Sequence, residues 1–408
     1  MAAAAIDRCR PNRPWISLNR VNVVKQLRVL SSLGRTLLRP AEPGYLILYV
    51  NNVCNLRCDM CLAWDQMQKK TDDMSLDEFV KLSRSFRNLV QLTLTGGEPT
   101  LNRDLPRIVE AFYRNSNTAK CTLVTNGTYV DKTLEHVREI LDRCPHTDLV
   151  VTVSLDGTKE IHERIRGVEG CFDKSCTCLD RLFELRDSGH RRGNLSVNIT
   201  SVISKYNWNQ IEDLYHFVRD RFKADGHAFL LARGSTKEAD AKDVPLEAYR
   251  RMTDIIRHEE NRSSQYLSLP LKGMTNAMRS VIDRVSDRDE YVIPCVAGRK
   301  LVEIYSNGDV IPCEIMEAKR DPIIGNVRDF HYDIVKLLQG RKAQEMRRFI
   351  TDTKCRCTFE CAMYASLAFN PMQYPRILAG LRTKNKDTDE RSRTQTAAER
   401  CRPDVQPC

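Results

Sequence analysis

Cys54-Asn55-Leu56-Arg57-Cys58-Asp59-Met60-Cys61 directly follows the apolar run Tyr45-Leu46-Ile47-Leu48-Tyr49-Val50, and this junction decides the fold. A short apolar run bounded by polar residues reads as a buried strand. Thiols just beyond its end lie where parallel α/β barrels place their reactive loops. Three thiolates this close can hold three corners of a cubane iron-sulfur cluster and leave the fourth iron open to a non-protein ligand. Zinc is the competing reading of short cysteine spacings, but zinc takes four ligands, typically as a pair plus a pair, and this segment lacks the second pair.

Outward from the junction, strand-like runs alternate with amphipathic stretches. VQLTLT (90–95), CTLVTNG (121–127), LVVTVSLDG (149–157), LSVNITSVIS (195–204) and HAFLLARG (227–234) read as strands, and LDEFVKLSRSF (76–86), LPRIVEAFYR (105–114) and LEHVREIL (134–141) as helices. About six such units fit before Gly234, which implies a parallel sheet with right-handed crossovers. Residues 44–234 form this core, and residues 235–290, charged and without strand signal until Tyr291-Val292-Ile293-Pro294-Cys295, read as a helical connector. A smaller cysteine-bearing module follows over 291–372. Residues 373–408 have too few large apolar side chains to offset the entropy of ordering, so a disordered tail is expected there. In the N-terminal extension, 1–43, Val23, Val24, Leu27, Leu30, Leu33 and Leu37 approximate helical spacing among Lys25, Arg28 and Arg35. This basic helix is expected to pack on the following domain, with a membrane surface or a transit-peptide role as the alternative.

The Cys-x3-Cys-x2-Cys spacing resembles the radical S-adenosylmethionine superfamily, and further motifs follow in that family's order. Gly96-Gly97-Glu98-Pro99 closes a strand, and by resemblance it binds the amino group of the methionyl moiety. Glycines allow close backbone approach, and a carboxylate complements an ammonium. Thr125-Asn126-Gly127 and Ser154-Leu155-Asp156-Gly157 end later strands, and the stretch from His162 to Gly167 follows. The resemblance implies that Ser154 and Arg166 contact the ribose or carboxylate of the cofactor. Met60 stands where the family usually has an aromatic residue beside the adenine, and methionine can fill that apolar role.

The second module holds Cys295, then Asn307-Gly308-Asp309-Val310-Ile311-Pro312-Cys313, then Cys355-Arg356-Cys357 and Cys361. The flanking runs with Asn-Gly between them form a hairpin signal. The pattern resembles the auxiliary-cluster domains called SPASM and, in shorter form, twitch. Five cysteines suffice for one fully ligated cluster, with Cys295, Cys313 and Cys361 as ligands and either Cys355 or Cys357 as the fourth. A structural zinc fits four thiolates on a hairpin and a loop equally well. Cys171, Cys176 and Cys178 read as free thiols on a helix and Cys121 as a small core residue. Cys9, Cys144, Cys401 and Cys408 read as incidental, and His162 as structural.

The resemblance implies an α/β fold: a partial (β/α)6 TIM-like barrel, open on one side, then a small α+β module that closes the opening. It implies a [4Fe-4S] cluster on Cys54, Cys58 and Cys61, S-adenosylmethionine, a second auxiliary [4Fe-4S] cluster, and a ferredoxin or flavodoxin as electron donor. Reductive cleavage would then give a 5′-deoxyadenosyl radical that takes hydrogen from an inert carbon. The substrate is read as a small molecule, because residues 1–43 are too short for a winged-helix leader-binding domain; a ribosomally made peptide is the alternative. A zinc-bearing scaffold protein is the rival from another class, but it leaves the Gly-Gly-Glu-Pro and Ser-Leu-Asp-Gly motifs unexplained.

Composition limits the other classes. The net charge of +10 sits mostly at the ends, with eight Lys/Arg against two Asp/Glu in residues 1–43 and eight against five in 371–408. A near-neutral body argues against a nucleic-acid groove. No run approaches the ~20 apolar residues of a membrane span, and no secretory signal opens the chain, so membrane association is not expected. Sixteen cysteines in short spacings favour metal ligation in a reducing, cytoplasmic compartment.

Overall fold

The computed structural model describes residues 23–67, 72–189, 194–262 and 269–381. Six strands run parallel: β1 (Tyr45–Tyr49), β2 (Gln91–Thr95), β3 (Lys120–Thr125), β4 (Asp148–Ser154), β5 (Leu195–Ile203) and β6 (Gly226–Leu231). Helices such as Leu76–Ser83, Leu105–Asn115, Val130–Arg143 and Cys171–Asp187 connect them. The sheet does not close. Beyond β1 it continues into β7 (Leu301–Ile304), parallel to β1, and then into antiparallel β8 (Asp309–Ile311) and β9 (Gly325–Asn326), giving the order β6-β5-β4-β3-β2-β1-β7-β8-β9. The cysteine-bearing hairpin is therefore an extension of the barrel sheet at its β1 edge.

Register sorts the two faces, since side chains alternate along a strand and paired residues share a face. Ile47 pairs with Thr93 and Glu303, Thr93 with Thr122, Val124 with Thr152, Thr152 with Asn198, and Ser154 with Thr200. This concave face is rich in hydroxyls and amides. The opposite face carries Leu46, Leu48, Leu92, Leu94, Leu123, Val151 and Ile199, all buried in one apolar core with helix residues such as Ile108, Phe112, Val137 and Leu182. Every residue of β1 is buried, as a central strand covered on both faces requires.

The basic amphipathic stretch forms the helix Val23–Leu37, which lies at the N-terminal ends of the strands. Its docking face is polar. Asn88, ahead of β2, donates to Ser32 O at 2.9 Å and Thr36 Oγ1 at 2.7 Å, Lys25 pairs with Asp148 at the start of β4, and Arg28 donates to His146 O. Leu27 and Leu30 remain more than half exposed. Short hydroxyl side chains let the helix approach Asn88 closely, which a row of leucines would prevent. Lys300 then completes the joint by donating to Thr36 O (2.8 Å), Arg39 O (2.6 Å) and Glu42 O (3.0 Å). It places a cation where the helix leaves its carbonyls unpaired.

Three expectations need correction. Tyr291–Cys295 is irregular chain, and strand structure resumes only at Leu301. Order also runs past residue 373, since Tyr374–Gly380 is a helix. It packs on the helix Leu269–Arg288 through glycines: Asn276 Nδ2 donates to Gly380 O at 3.0 Å, and a Cβ on Gly380 would come 2.4 Å from Gly273 O. Composition undervalued this contact because it depends on missing side chains. Cys144, read as incidental, is fully buried. The expectations for residues 1–22 and 382–408, with Cys9, Cys401 and Cys408, lie outside the described residues.

Candidate active site

The three-thiol loop leaves the C-terminal end of β1, and the rest of the barrel holds it by its backbone. Gly97 N donates to Asn51 O (3.2 Å) and Glu98 N to Val53 O (2.8 Å). Gly97 is required there because a Cβ would lie 2.2 Å from Val53 O and 2.8 Å from Cys54 N. From the other side, Arg57 N donates to Arg166 O and Asp59 N to Ile165 O, both at 3.0 Å.

Glu98 is almost wholly buried, and its carboxylate faces protein donors. Thr100 Oγ1 (2.6 Å) and Thr125 Oγ1 (2.8 Å) donate to Oε1, and Asn126 N (2.8 Å) donates to Oε2. Burial raises the carboxyl's pKa and these donors oppose the shift. Glu98 thus ties the end of β2 to the Thr125-Asn126-Gly127 loop. Asn126 Nδ2 in turn reaches Asn55 Oδ1 at 3.0 Å and Cys54 Sγ at 4.0 Å.

Arg166 and Asp156 form the charged hinge of the site. Arg166 Nε donates to Asp156 Oδ2 at 2.6 Å and its Nη1 to Cys58 Sγ at 3.5 Å. The carboxylate also accepts from Val202 N at 2.8 Å, so β5 fixes the pair. Burial opposes the guanidinium charge, but Asp156 and Cys58 beside it hold the proton. Ser154 ends β4 on the concave face, half-buried. His162 accepts from Asp156 N through Nδ1 at 3.1 Å, and burial lowers its pKa to about 3, so the ring is neutral. The segment after β6 covers the loop: Lys237 pairs with Asp59 at 3.1 Å, and Lys237 N donates to Cys61 O at 3.1 Å. Met60 is buried with Ile165, Ala232 and Ala241.

Among the described residues no three His, Cys, Asp or Glu side chains converge on a single ion. In the second module, Cys295, Cys313, Cys355 and Cys357 instead border a small cavity with Ile350 and Lys319. Lys319 Nζ donates to Cys355 Sγ at 3.3 Å. Cys361 is absent from that lining; its thiol meets the Tyr45 hydroxyl on β1. The sequence reading places Cys361 among the auxiliary ligands, and the structure sets it beside Tyr45. Cys355 and Cys357 lie in irregular chain, whereas Cys361 is already inside the helix Glu360–Ala368, whose turn directs it at the barrel.

Arg233, just past β6, joins the two halves. It is buried between Glu360 (2.5 Å) and Glu314 (3.4 Å), with its guanidinium 4.9 Å from the centre of the Phe359 ring. Glu303 on β7 accepts from Glu314 N at 3.1 Å, and burial raises its pKa well above the usual carboxylate range. Sequence reasoning missed Asp156 and Asn126 as partners, and Arg233 and Lys237 altogether. Asp156 and Asn126 sat inside motifs already singled out. For Arg233 and Lys237 the available signal was position alone, just beyond the C-terminal end of a barrel strand.

The donor chemistry suits iron-sulfur clusters at both places. Burial pushes Cys54 to about 11, Cys61 to about 12 and Cys295 to about 12, and it raises Cys58, Cys313 and Cys357 as well. Thiols ligate metal as thiolates, so loading either place releases protons.

Residues 48–218 match the Radical SAM superfamily, and residues 295–362 match the SPASM iron-sulfur cluster-binding domain. The chain belongs to the radical S-adenosylmethionine superfamily of enzymes, which bind a [4Fe-4S] cluster and S-adenosylmethionine. Within it, this chain is of the kind that adds a SPASM domain, the carrier of auxiliary iron-sulfur clusters. AdoMet-dependent heme synthase of Oleidesulfovibrio alaskensis is 24% identical over 327 residues, 75% of this chain and 77% of that protein. Two solved structures share the fold. Streptococcus suis SuiB bound to precursor peptide SuiA has a TM-score of 0.55 at 16% identity, covering 85% of this chain and 75% of that one. Native anSMEcpe with bound AdoMet and Cp18Cys peptide has 0.53 at 18%, covering 83% and 99%. No helix among the described residues is long and apolar enough to cross a membrane.

Proposed function

We propose that this enzyme cleaves S-adenosylmethionine reductively at a [4Fe-4S] cluster held by Cys54, Cys58 and Cys61, and that it acts on a small molecule enclosed by the barrel. The carrying observation is the pairing of two environments: three thiols on one loop beside Arg166, at the end of a sheet one face of which carries threonines, serines and amides. When bound, the cluster and cofactor supply a 5′-deoxyadenosyl radical by one-electron cleavage of the sulfonium bond.

The chain's own residues do the rest. Arg166 presents a guanidinium edge at Cys58, apt for the cofactor's carboxylate or ribose. Gly96, Gly97 and Pro99 shape the wall against the thiol loop, Glu98 braces it, and Ser154 offers a hydroxyl to the cofactor. Met60 supplies an apolar support. The barrel wall keeps water and stray hydrogen donors away from a reactive carbon. Cys295, Cys313, Cys355 and Cys357 hold the auxiliary cluster, and Cys361 stays outside it as a partner of Tyr45. A ferredoxin or flavodoxin delivers the electron.

The small-molecule reading is favoured by the similarity to a heme synthase, which covers 75% of this chain. A peptide substrate is the second reading, favoured by two structural neighbours solved with peptides. Anaerobic purification should yield about eight irons, as two cubane clusters require. Dithionite and S-adenosylmethionine should then give 5′-deoxyadenosine, and a Cys54/Cys58/Cys61 triple alanine variant should give none. Colourless protein with stoichiometric zinc and no cleavage would overturn the proposal. Deuterium transfer into 5′-deoxyadenosine from a labelled peptide library, with none from labelled porphyrins or nucleotides, would select the peptide reading.

A further inference from the structure

A small cleft adjoins the three-thiol loop where β1, β2 and β7 end together. Its lining includes Asn51, Gly96, Gly97, Gln66, Tyr49 and Tyr305, and none of the described residues that line it is charged. Asn51 is the anomaly in that lining. It is 8% exposed, and its Oδ1 is buried without a hydrogen-bond partner, although a buried amide oxygen ordinarily finds a donor. The orientation of the amide is fixed: Nδ2 donates to Glu98 O at 2.9 Å, and that carbonyl can only accept, so the free atom is the oxygen. The backbone is equally fixed, because Gly96 has φ +149° and a Cβ there would lie 2.4 Å from Asn51 O. A rigid acceptor beside the thiol loop is waiting for an N–H donor.

We infer that Asn51 Oδ1 accepts a hydrogen bond from the amino group of S-adenosylmethionine, and so sets which end of the cofactor enters this cleft. The inference rests on the proposed cluster site. The physical reasoning concerns the two charged groups of the methionyl end. A carboxylate needs cations or several donors, and the described residues of the cleft lining supply no cation, whereas Arg166 stands beside Cys58 elsewhere on the loop. An ammonium needs acceptors, and the lone pairs of Asn51 Oδ1 are available. Asn51 thereby acts as a binding and orienting residue at the end of β1.

The test compares two ligands on one holoenzyme. Anaerobically reconstituted protein is dialysed to equilibrium with S-adenosylmethionine, or with the sulfonium analogue in which hydrogen replaces the amino group. The preference for the amino-bearing ligand should fall by about tenfold in Asn51→Leu, the loss expected for one hydrogen bond to a charged group. Asn51→Asp, which keeps an acceptor oxygen, should retain the preference. Asn51→Ser, whose oxygen is too short to reach, should lose it, and serves if the leucine variant does not take up iron. The ratio within each variant is independent of any general weakening. An unchanged ratio in Asn51→Leu and Asn51→Ser would overturn the inference while leaving the function intact. Failure of the wild type to bind either ligand would instead overturn the cluster-site proposal.

Discussion

The two thiol regions are built by opposite strategies. Cys54, Cys58 and Cys61 come from one loop whose spacing is set locally, and the barrel serves to clamp that loop in place through Gly97, Arg166 and Lys237. Cys295, Cys313, Cys355 and Cys357 come from separate stretches between residues 295 and 357, and only tertiary packing brings them around one cavity. A motif of the first kind announces itself in sequence. An assembly of the second kind shows its members but not its membership.

The sharpest way to break this comparison is a paired exchange in the second region. Cys357→Ser should remove the auxiliary cluster, lowering the iron content from about eight to about four per chain, while Cys361→Ser should leave it near eight. The reverse result would return Cys361 to the ligand set. Next in size, Arg233→Met leaves Glu314 and Glu360 buried without their cation. The expected loss is about 3–5 kcal/mol in denaturant unfolding, with auxiliary iron lost preferentially. An unfolding midpoint equal to wild type would show that the two halves are joined by something else.

The first region is probed by Gly97→Ala, where the new methyl meets the Val53 carbonyl at 2.2 Å. Displacing the thiol loop by about an ångström should lower 5′-deoxyadenosine formation about 100-fold. Auxiliary iron should be retained.

The smaller effects test how the second region is fastened to the first. Glu78 closes the capping box of its helix and accepts from Arg328 Nε at 2.6 Å and from Tyr332 at 2.8 Å. Arg328, with the helix-capping donors, holds the Glu78 carboxyl at about 2. A depressed carboxylate stabilises the fold fully above its ordinary pKa of about 4.3, and that contribution disappears as pH falls toward 2. About 2 kcal/mol should therefore be lost over that interval and be absent in Glu78→Gln, followed by urea unfolding at each pH. Smallest is Lys300→Met, which leaves three carbonyls without their ammonium. A loss of about 1–2 kcal/mol is expected, together with faster hydrogen exchange in the helix Val23–Leu37.

The same contrast explains what was legible beforehand. All six parallel strands and the first three helices between them follow from periodicity, because a strand buried on both faces must be apolar throughout and a covering helix must be apolar on one side. Cys54, Cys58, Cys61, Gly97 and Asp156 stand within motifs of adjacent residues. Arg233 and Lys300 were invisible because each acts on groups far away in sequence, as Lys300 does on carbonyls more than 250 positions earlier. The surroundings of Cys361 were not legible because spacing carries no information about where a helix begins. The polar docking face of the first helix was missed because leucine spacing drew attention to the side that remains exposed.

The place of β1 has a consequence for synthesis. One of its edges pairs with β2, made about forty residues later, but the other waits for β7 at Leu301–Ile304. At the usual ribosomal pace of ~5–20 residues per second, that open edge beside the thiol loop persists for roughly 10–50 seconds after β1 emerges. An unpaired strand edge is a template for wrong partners. The nascent chain therefore spends its most vulnerable interval with the iron-binding loop hanging from an incomplete sheet, and the natural moment for cluster insertion is after the last third of the chain has been made.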